Sequence, residues 1–122
     1  PHYLQVVGDV QNFPVVAEGR KIRYSDTFKP GGTNVNFIQL LGDNSIFVRT
    51  YERGVEDETY SCGTGVTAAA LAASFHGYTS PVKVKVKGGE LAVEFKAGQA
   101  DTFDEIFLIG PAKMVFEGIL EL

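Results

Sequence analysis

A chain of 122 residues, 44% hydrophobic and 21% charged, has the composition of one ordinary globular domain and the length to bury a proper core. Its net charge of -4 argues against nucleic acid or an anionic membrane surface as the main partner. The single cysteine excludes an internal disulfide, no Cys/His cluster has zinc spacing, and the longest apolar stretch, Val66 to Phe75, is too short to span a bilayer, all of which fits a reducing cytoplasm.

In chain order, His2 to Val7 reads as a strand that Gly8-Asp9 turns. Asn12-Phe13-Pro14 looks like a helix start, with Asn12 as cap and Pro14 in the first turn. Val15, Val16 and Ile22 then share one face of a short helix weakened by Gly19, and Lys29-Pro30-Gly31-Gly32 is a loop. Asn34 to Leu41 and Ile46 to Tyr51 read as strands joined in a hairpin by Gly42-Asp43-Asn44-Ser45. A loop from Glu52 to Ser61 leads to a helix that Gly77 ends. Val82 to Lys87 alternates strictly, much of Glu90 to Lys96 does too, and Gly88-Gly89 between them is a two-residue hairpin signal. Strands from Glu105 to Ile109 and Lys113 to Leu122 close the chain, which has no repeat, linker or low-complexity tract.

The segment from Gly63 to Phe75 carries no charge on any face, and a helix that is apolar all round is a buried one. With about seven strands available, the expected architecture is α+β: a curved, mainly antiparallel sheet or barrel wrapped around one buried central helix. Its alanines let the strands approach, and only its N-terminal tip need reach the surface. Lys83, Lys85 and Lys87 then lie on a solvated face.

That tip carries the chemistry. Cys62 stands just before the helix, and Gly63 and Gly65 leave the backbone uncovered where several N–H groups lack intrahelical partners. An anion such as a carboxylate is held at such an end, and a thiol beside it has its pKa drawn down from roughly 8.5 because the dipole favours the thiolate. The plain alternative is a buried structural cysteine, among the most buried residue types. Around Cys62, Arg53 suits a carboxylate as a bidentate fork, Glu52 suits an ammonium, and Asn34 serves either, so together they suit an amino-acid zwitterion. His2 has the chemistry of a base. The simpler readings are a solvated Glu52–Arg53 pair, turn or strand-end hydrogen bonding for Asn34 and Asn36, and exposure for His2.

Pro1-His2, Gly32-Thr33-Asn34-Val35-Asn36-Phe37, Arg49-Thr50-Tyr51-Glu52-Arg53-Gly54 and Cys62-Gly63-Thr64-Gly65 occur in that order. In this the chain resembles the C-terminal half of diaminopimelate epimerase over nearly all of its length. The resemblance implies that residues 1–122 form one diaminopimelate-epimerase-like domain of a two-domain, cofactor-independent and metal-free isomerase. That enzyme interconverts LL- and meso-diaminopimelate in the cytoplasm, for lysine and the cell wall. It implies Cys62 as one of two catalytic thiols, Gly63 and Thr64 N–H groups on the reacting carboxylate, and Asn34 and Arg53 as substrate ligands. Glu52 and His2 would contact the ammonium or orient the thiols.

The chain departs from the pattern in having one cysteine, in lacking the Asn before Pro1-His2, and in a Gly54-to-Thr59 loop one residue longer than the common form, whose added charge bears on the placement of Glu52 and Arg53. The chain opens at Pro1 without a Met, which fits a natural N-terminus lying elsewhere. The expected partners are the substrate, an absent N-terminal domain and, for the fragment alone, a second copy of itself; alone it is expected to be inactive. A proline-racemase-type or phenazine-biosynthesis-type isomerase on the same fold, and a non-catalytic anion-binding module, are the other readings.

Overall fold

The computed structural model describes residues 1–60, 63–99, 102–110 and 114–121, the last span for its backbone alone. The elements are β1 (His2–Val6), α1 (Val15–Arg23), β2 (Asn34–Leu40), β3 (Ser45–Glu52), β4 (Asp57–Thr59), α2 (Gly63–Ala73), β5 (Val82–Val86), β6 (Gly89–Ala97), β7 (Thr102–Ile109) and β8 (Met114–Glu121). The strands form one mixed sheet in the order β1-β2-β3-β5-β6-β7-β8, with β4 paired to β3. β1 runs parallel to β2 and β3 parallel to β5, while the other pairs are antiparallel. The two parallel pairs need crossovers, and α1 and α2 supply them.

The two-residue period of the central strands sends alternate side chains to two different helices. Val35, Phe37 and Tyr51 pack with Val10 and Val15 on the α1 side. Ile38, Ile46 and Val48 pack with Val66, Ala69, Ala70 and Leu71 of α2, together with Val82, Val84, Val93, Ile106 and Leu108 from the strands curling round it. α2 is buried from Gly65 to Leu71 and again at Ala73, so the uncharged segment is the central helix that its composition implies. Burial of each Val or Leu here contributes about 1.5–3 kcal/mol. A short 3-10 turn, Ser74–His76, extends α2, and Gly77 at φ 88° stops it.

Several local expectations need correction. Asn12 does not cap α1: Pro14 occupies the cap position without a side-chain bond, and Asn12 turns back to the Asp9 carboxylate. Gly19 does more than weaken α1, since a Cβ there would stand 2.5 Å from Tyr51 Cβ, and its absence is what lets α1 lie against β3. The stretch from Glu52 to Ser61 is not all loop, because Asp57–Thr59 pairs with Thr50–Glu52 as an eighth strand. The β5–β6 turn sits at Lys87-Gly88, one residue earlier than the Gly-Gly pair suggests, since Val86 pairs with Gly89. The β2–β3 hairpin is as read, with Asp43 and Asn44 both at positive φ (57° and 58°), the conformation of a tight hairpin turn.

Candidate active site

The site is assembled on the α2 face of the sheet, at the end from which α2 starts. His2 on β1 is in register with Asn34 on β2, and Asn36 with Thr50 on β3. Thr50 and Asn36 turn to α2, so alternation carries Asn34, His2 and Glu52 to the same face. Gly63 and Thr64 are the exposed tip of an otherwise buried helix. His2 Nε2 lies 3.0 Å from Thr64 Oγ1, which joins the sheet to the helix start. Cys62 and Ser61 lie outside the described residues, and the role read for Cys62 rests on its place in sequence directly before Gly63.

Close approach here depends on Gly65. A Cβ on it would fall 2.6 Å from Asn36 Oδ1 and 3.3 Å from His2 Cε1. Thr67 Oγ1 donates to the Gly63 carbonyl (2.8 Å), which satisfies a buried hydroxyl inside α2. The first N–H groups of α2 have no partner within the helix, and they point from the positive end of its dipole. His2 is half-buried, and burial lowers its pKa from 6.5, so the ring is neutral near pH 7.

Asn34 and Arg53 are brought together. The Arg53 N–H donates to Asn34 Oδ1 (2.8 Å), and Arg53 Nη1 donates to the Gly31 carbonyl (3.0 Å). The rest of the exposed guanidinium has no partner among the described residues, which leaves its fork for a ligand carboxylate. Glu52, half-buried at the end of β3, lies next in sequence, on the face shared with His2.

The residues that sequence reasoning missed hold this end of β3 in place. Glu56, at φ 58°, accepts Arg23 Nε (3.1 Å) and Nη2 (2.9 Å), the Tyr51 hydroxyl (3.1 Å) and the Gly54 N–H (3.0 Å). Its own N–H donates to the Glu52 carbonyl (2.8 Å). A charge within the Gly54-to-Thr59 loop thus anchors the turn that follows Glu52 and Arg53. The one signal in sequence was that charge itself. Arg23 and these hydrogen bonds draw the Glu56 pKa down from 4.5 to about 2. A carboxyl with a lowered pKa stabilises the fold above its unfolded value and loses that contribution as pH falls. Stability is therefore expected to decline between pH 4.5 and about 2, and Glu56→Gln should flatten that part of the acid unfolding curve. An acid limb that is identical in the variant would remove Glu56 as its cause.

Arg49, the first residue of the Arg-Thr-Tyr-Glu-Arg-Gly motif, is not at the site. It faces the other side of the sheet, where it braces Glu58 and the segment before α1. Among the described residues, no three His, Cys, Asp or Glu side chains are placed to hold a metal ion, and no helix is long and apolar enough to cross a membrane.

A curled sheet around a buried helix is a fold met among solved structures. A phenazine biosynthesis protein of the PhzF family from Bacillus anthracis matches 84% of this chain and 32% of its own, with a TM-score of 0.54 at 19% identity, a likeness of fold alone. The family model of diaminopimelate epimerase matches residues 1–115, and the chain belongs to the diaminopimelate epimerase family. Diaminopimelate epimerase of Flavobacterium psychrophilum is 47% identical over 119 residues, covering 96% of this chain and 46% of its own. That of Aquifex aeolicus is 45% identical over 98% of this chain and 43% of its own, and that of Archaeoglobus fulgidus 50% identical over 100% and 41%. The chain therefore spans less than half the length of these relatives.

Proposed function

We propose that this chain is the C-terminal domain of a two-domain, cytoplasmic diaminopimelate epimerase of the lysine and cell-wall pathway. The observation that carries the reading is that His2, in register with Asn34 and through it linked to Arg53, reaches the start of a buried helix that the only cysteine directly precedes in sequence. Inverting a stereocentre without a cofactor requires one group to take the α-proton and another to deliver one to the opposite face. In this reading the C–H bond breaks as its proton passes to one thiolate, and a thiol on the other face protonates the carbanion; nothing is oxidised or reduced. Cys62 is one of the two sulfurs, and the partner domain supplies the other. Charge delocalised into the substrate carboxylate is met by the N–H groups of Gly63 and Thr64 at the positive end of α2. Arg53 and Asn34 bind substrate, and Glu52 faces its ammonium.

With one thiol, the 122 residues alone are proposed to be inactive. Two such fragments pairing through the Cys62 end would be seen as a dimer in sedimentation of the reduced protein, and a strict monomer would dismiss it.

The test is α-deuterium incorporation into diaminopimelate in heavy water, read by mass spectrometry. The protein at its full natural length should label the substrate at the same rate before and after dialysis against a chelator, and the 122-residue chain should not label it. No labelling by the full-length protein would refute the assignment. Loss of labelling that zinc restores would refute the metal-free mechanism.

A further inference from the structure

Asn36 is fully buried in the middle of the network that joins β1, β2, β3 and α2, and it is not among the residues that bind or transform substrate in the reading above. Its amide orientation is fixed by an atom that can only accept. Nδ2 lies 3.1 Å from the Tyr3 backbone carbonyl, so the NH2 group must face that oxygen. The other end, Oδ1, then accepts the Thr50 hydroxyl at 2.8 Å. The same NH2 group lies 3.3 Å from His2 Nδ1, with one hydrogen for the carbonyl and one for the ring. A ring nitrogen facing a donor must carry a lone pair. In a neutral imidazole the proton is then on Nε2, which lies 3.0 Å from Thr64 Oγ1.

We propose that Asn36 is a positioning residue that fixes His2 in the tautomer with a bare Nδ1 and a protonated Nε2, so that His2 serves the helix start as a hydrogen-bond donor and not as a base. Three features hold the arrangement. Asn36 is closed off from water, which could otherwise replace its bonds. Gly65 leaves the space that Asn36 Oδ1 and His2 Cε1 occupy, since a Cβ there would fall 2.6 Å and 3.3 Å from them. Adding a proton to Nδ1 would set N–H against N–H, which opposes both the other tautomer and the charged ring. The Nε2–H bond to Thr64 directs the Thr64 hydroxyl hydrogen away from His2. A donor of this kind supports negative charge at the end of α2, a carboxylate or a thiolate, and has no lone pair there for an ammonium.

The functional consequence rests on the epimerase reading; the tautomer does not. In the full-length protein labelled with 15N at histidine, bare and protonated ring nitrogens resonate far apart. His2 should show a bare Nδ1 and a protonated Nε2. Asn36→Leu should give a mixture of tautomers, with kcat for α-proton exchange down by roughly tenfold or more and KM within about twofold, because orientation and not binding is lost. If that variant does not fold, Asn36→Asp offers Nδ1 only acceptors, and the proton should move to Nδ1. A protonated Nδ1 in the unsubstituted protein, or an unchanged His2 spectrum in both variants, overturns the proposal. Failure of the unsubstituted protein to label diaminopimelate would defeat the epimerase reading, while the ring spectrum would still decide the role of Asn36.

Discussion

Cys62→Ala is expected to lower α-proton exchange by the full-length protein at least roughly a thousandfold while leaving its fold intact, a loss of the size associated with removing a general base or acid. Two things set this expectation. The sequence places the thiol immediately before a helix whose first residues are Gly63, Thr64 and Gly65, of which Gly63 and Thr64 are exposed. A helix start favours a thiolate over a thiol that lies beside it, and a group that must both take and return a proton works best with its pKa near the working pH. The other candidate base, His2, presents its lone pair to Asn36 and cannot replace the sulfur. Cys62→Ser should recover little, because an alcohol in that place is far less acidic than a thiol. Exchange measured by mass spectrometry, with circular dichroism to verify folding, decides the matter: a folded Cys62→Ala protein that exchanges at the parental rate would falsify the role given to the thiol.

Arg49→Ala is expected to be strongly destabilising, at about 3–5 kcal/mol, more than a change at any other charged residue among those described. Arg49 forks onto Glu58 through Nε (2.7 Å) and Nη2 (2.6 Å), and its Nη1 donates to the carbonyls of Val10 (2.8 Å), Gln11 (3.0 Å) and Phe13 (3.2 Å). The side chains of the pair are only 13% and 11% exposed, so this is not the solvated ion pair worth little. Burial alone would push the Glu58 carboxyl up, and Arg49 and Lys87 together outweigh it, so Glu58 stays below its ordinary value and charged. Removing the guanidinium strands that carboxylate, with Lys87 at 3.6 Å its one remaining cation among the described residues, and also frees the strand-to-helix segment before α1. Against a total of about 5–15 kcal/mol for a domain, the loss is large. Arg49→Lys should recover part of it, since it keeps the charge but not the fork. Denaturant unfolding measures the difference, and a loss under about 1 kcal/mol would place Arg49 among ordinary surface charges.

What the sequence made legible follows from what kind of interaction decides each feature. α2 and β5 are decided by solvent, and an uncharged stretch or a strict alternation of valine and lysine records that directly. The Asp43-Asn44 turn is decided by local backbone preference, which two residues carry. β4 is different: Asp57-Glu58-Thr59 has no apolar alternation, and it forms where Arg49 holds Glu58 across from β3. The Asn12 cap fails because α1 starts only at Val15, which puts Asn12 two residues ahead of the cap position, where its NH2 donates to Asp9. At the candidate site, the family motifs named His2, Asn34 and Arg53, whereas the role of Asn36 depends on a backbone carbonyl from β1 that no pattern in the chain displays. Such a partner is visible only after the strands are in register.

The lysines of β5 bear on how this protein avoids going wrong. Val82, Val84 and Val86 face inward while Lys83 and Lys85 face solvent, so a slip of one residue would turn both ammonium groups into the core at once. The next acceptable registry lies two residues away and forfeits a pair of cross-strand contacts. Stacked in register with its own kind, as in a fibril, the same segment would place like charges about 4.8 Å apart along every lysine row. A stretch with the β-propensity and length of an amyloid core thus carries its own electrostatic veto, active in the unfolded chain before any native contact exists to protect it.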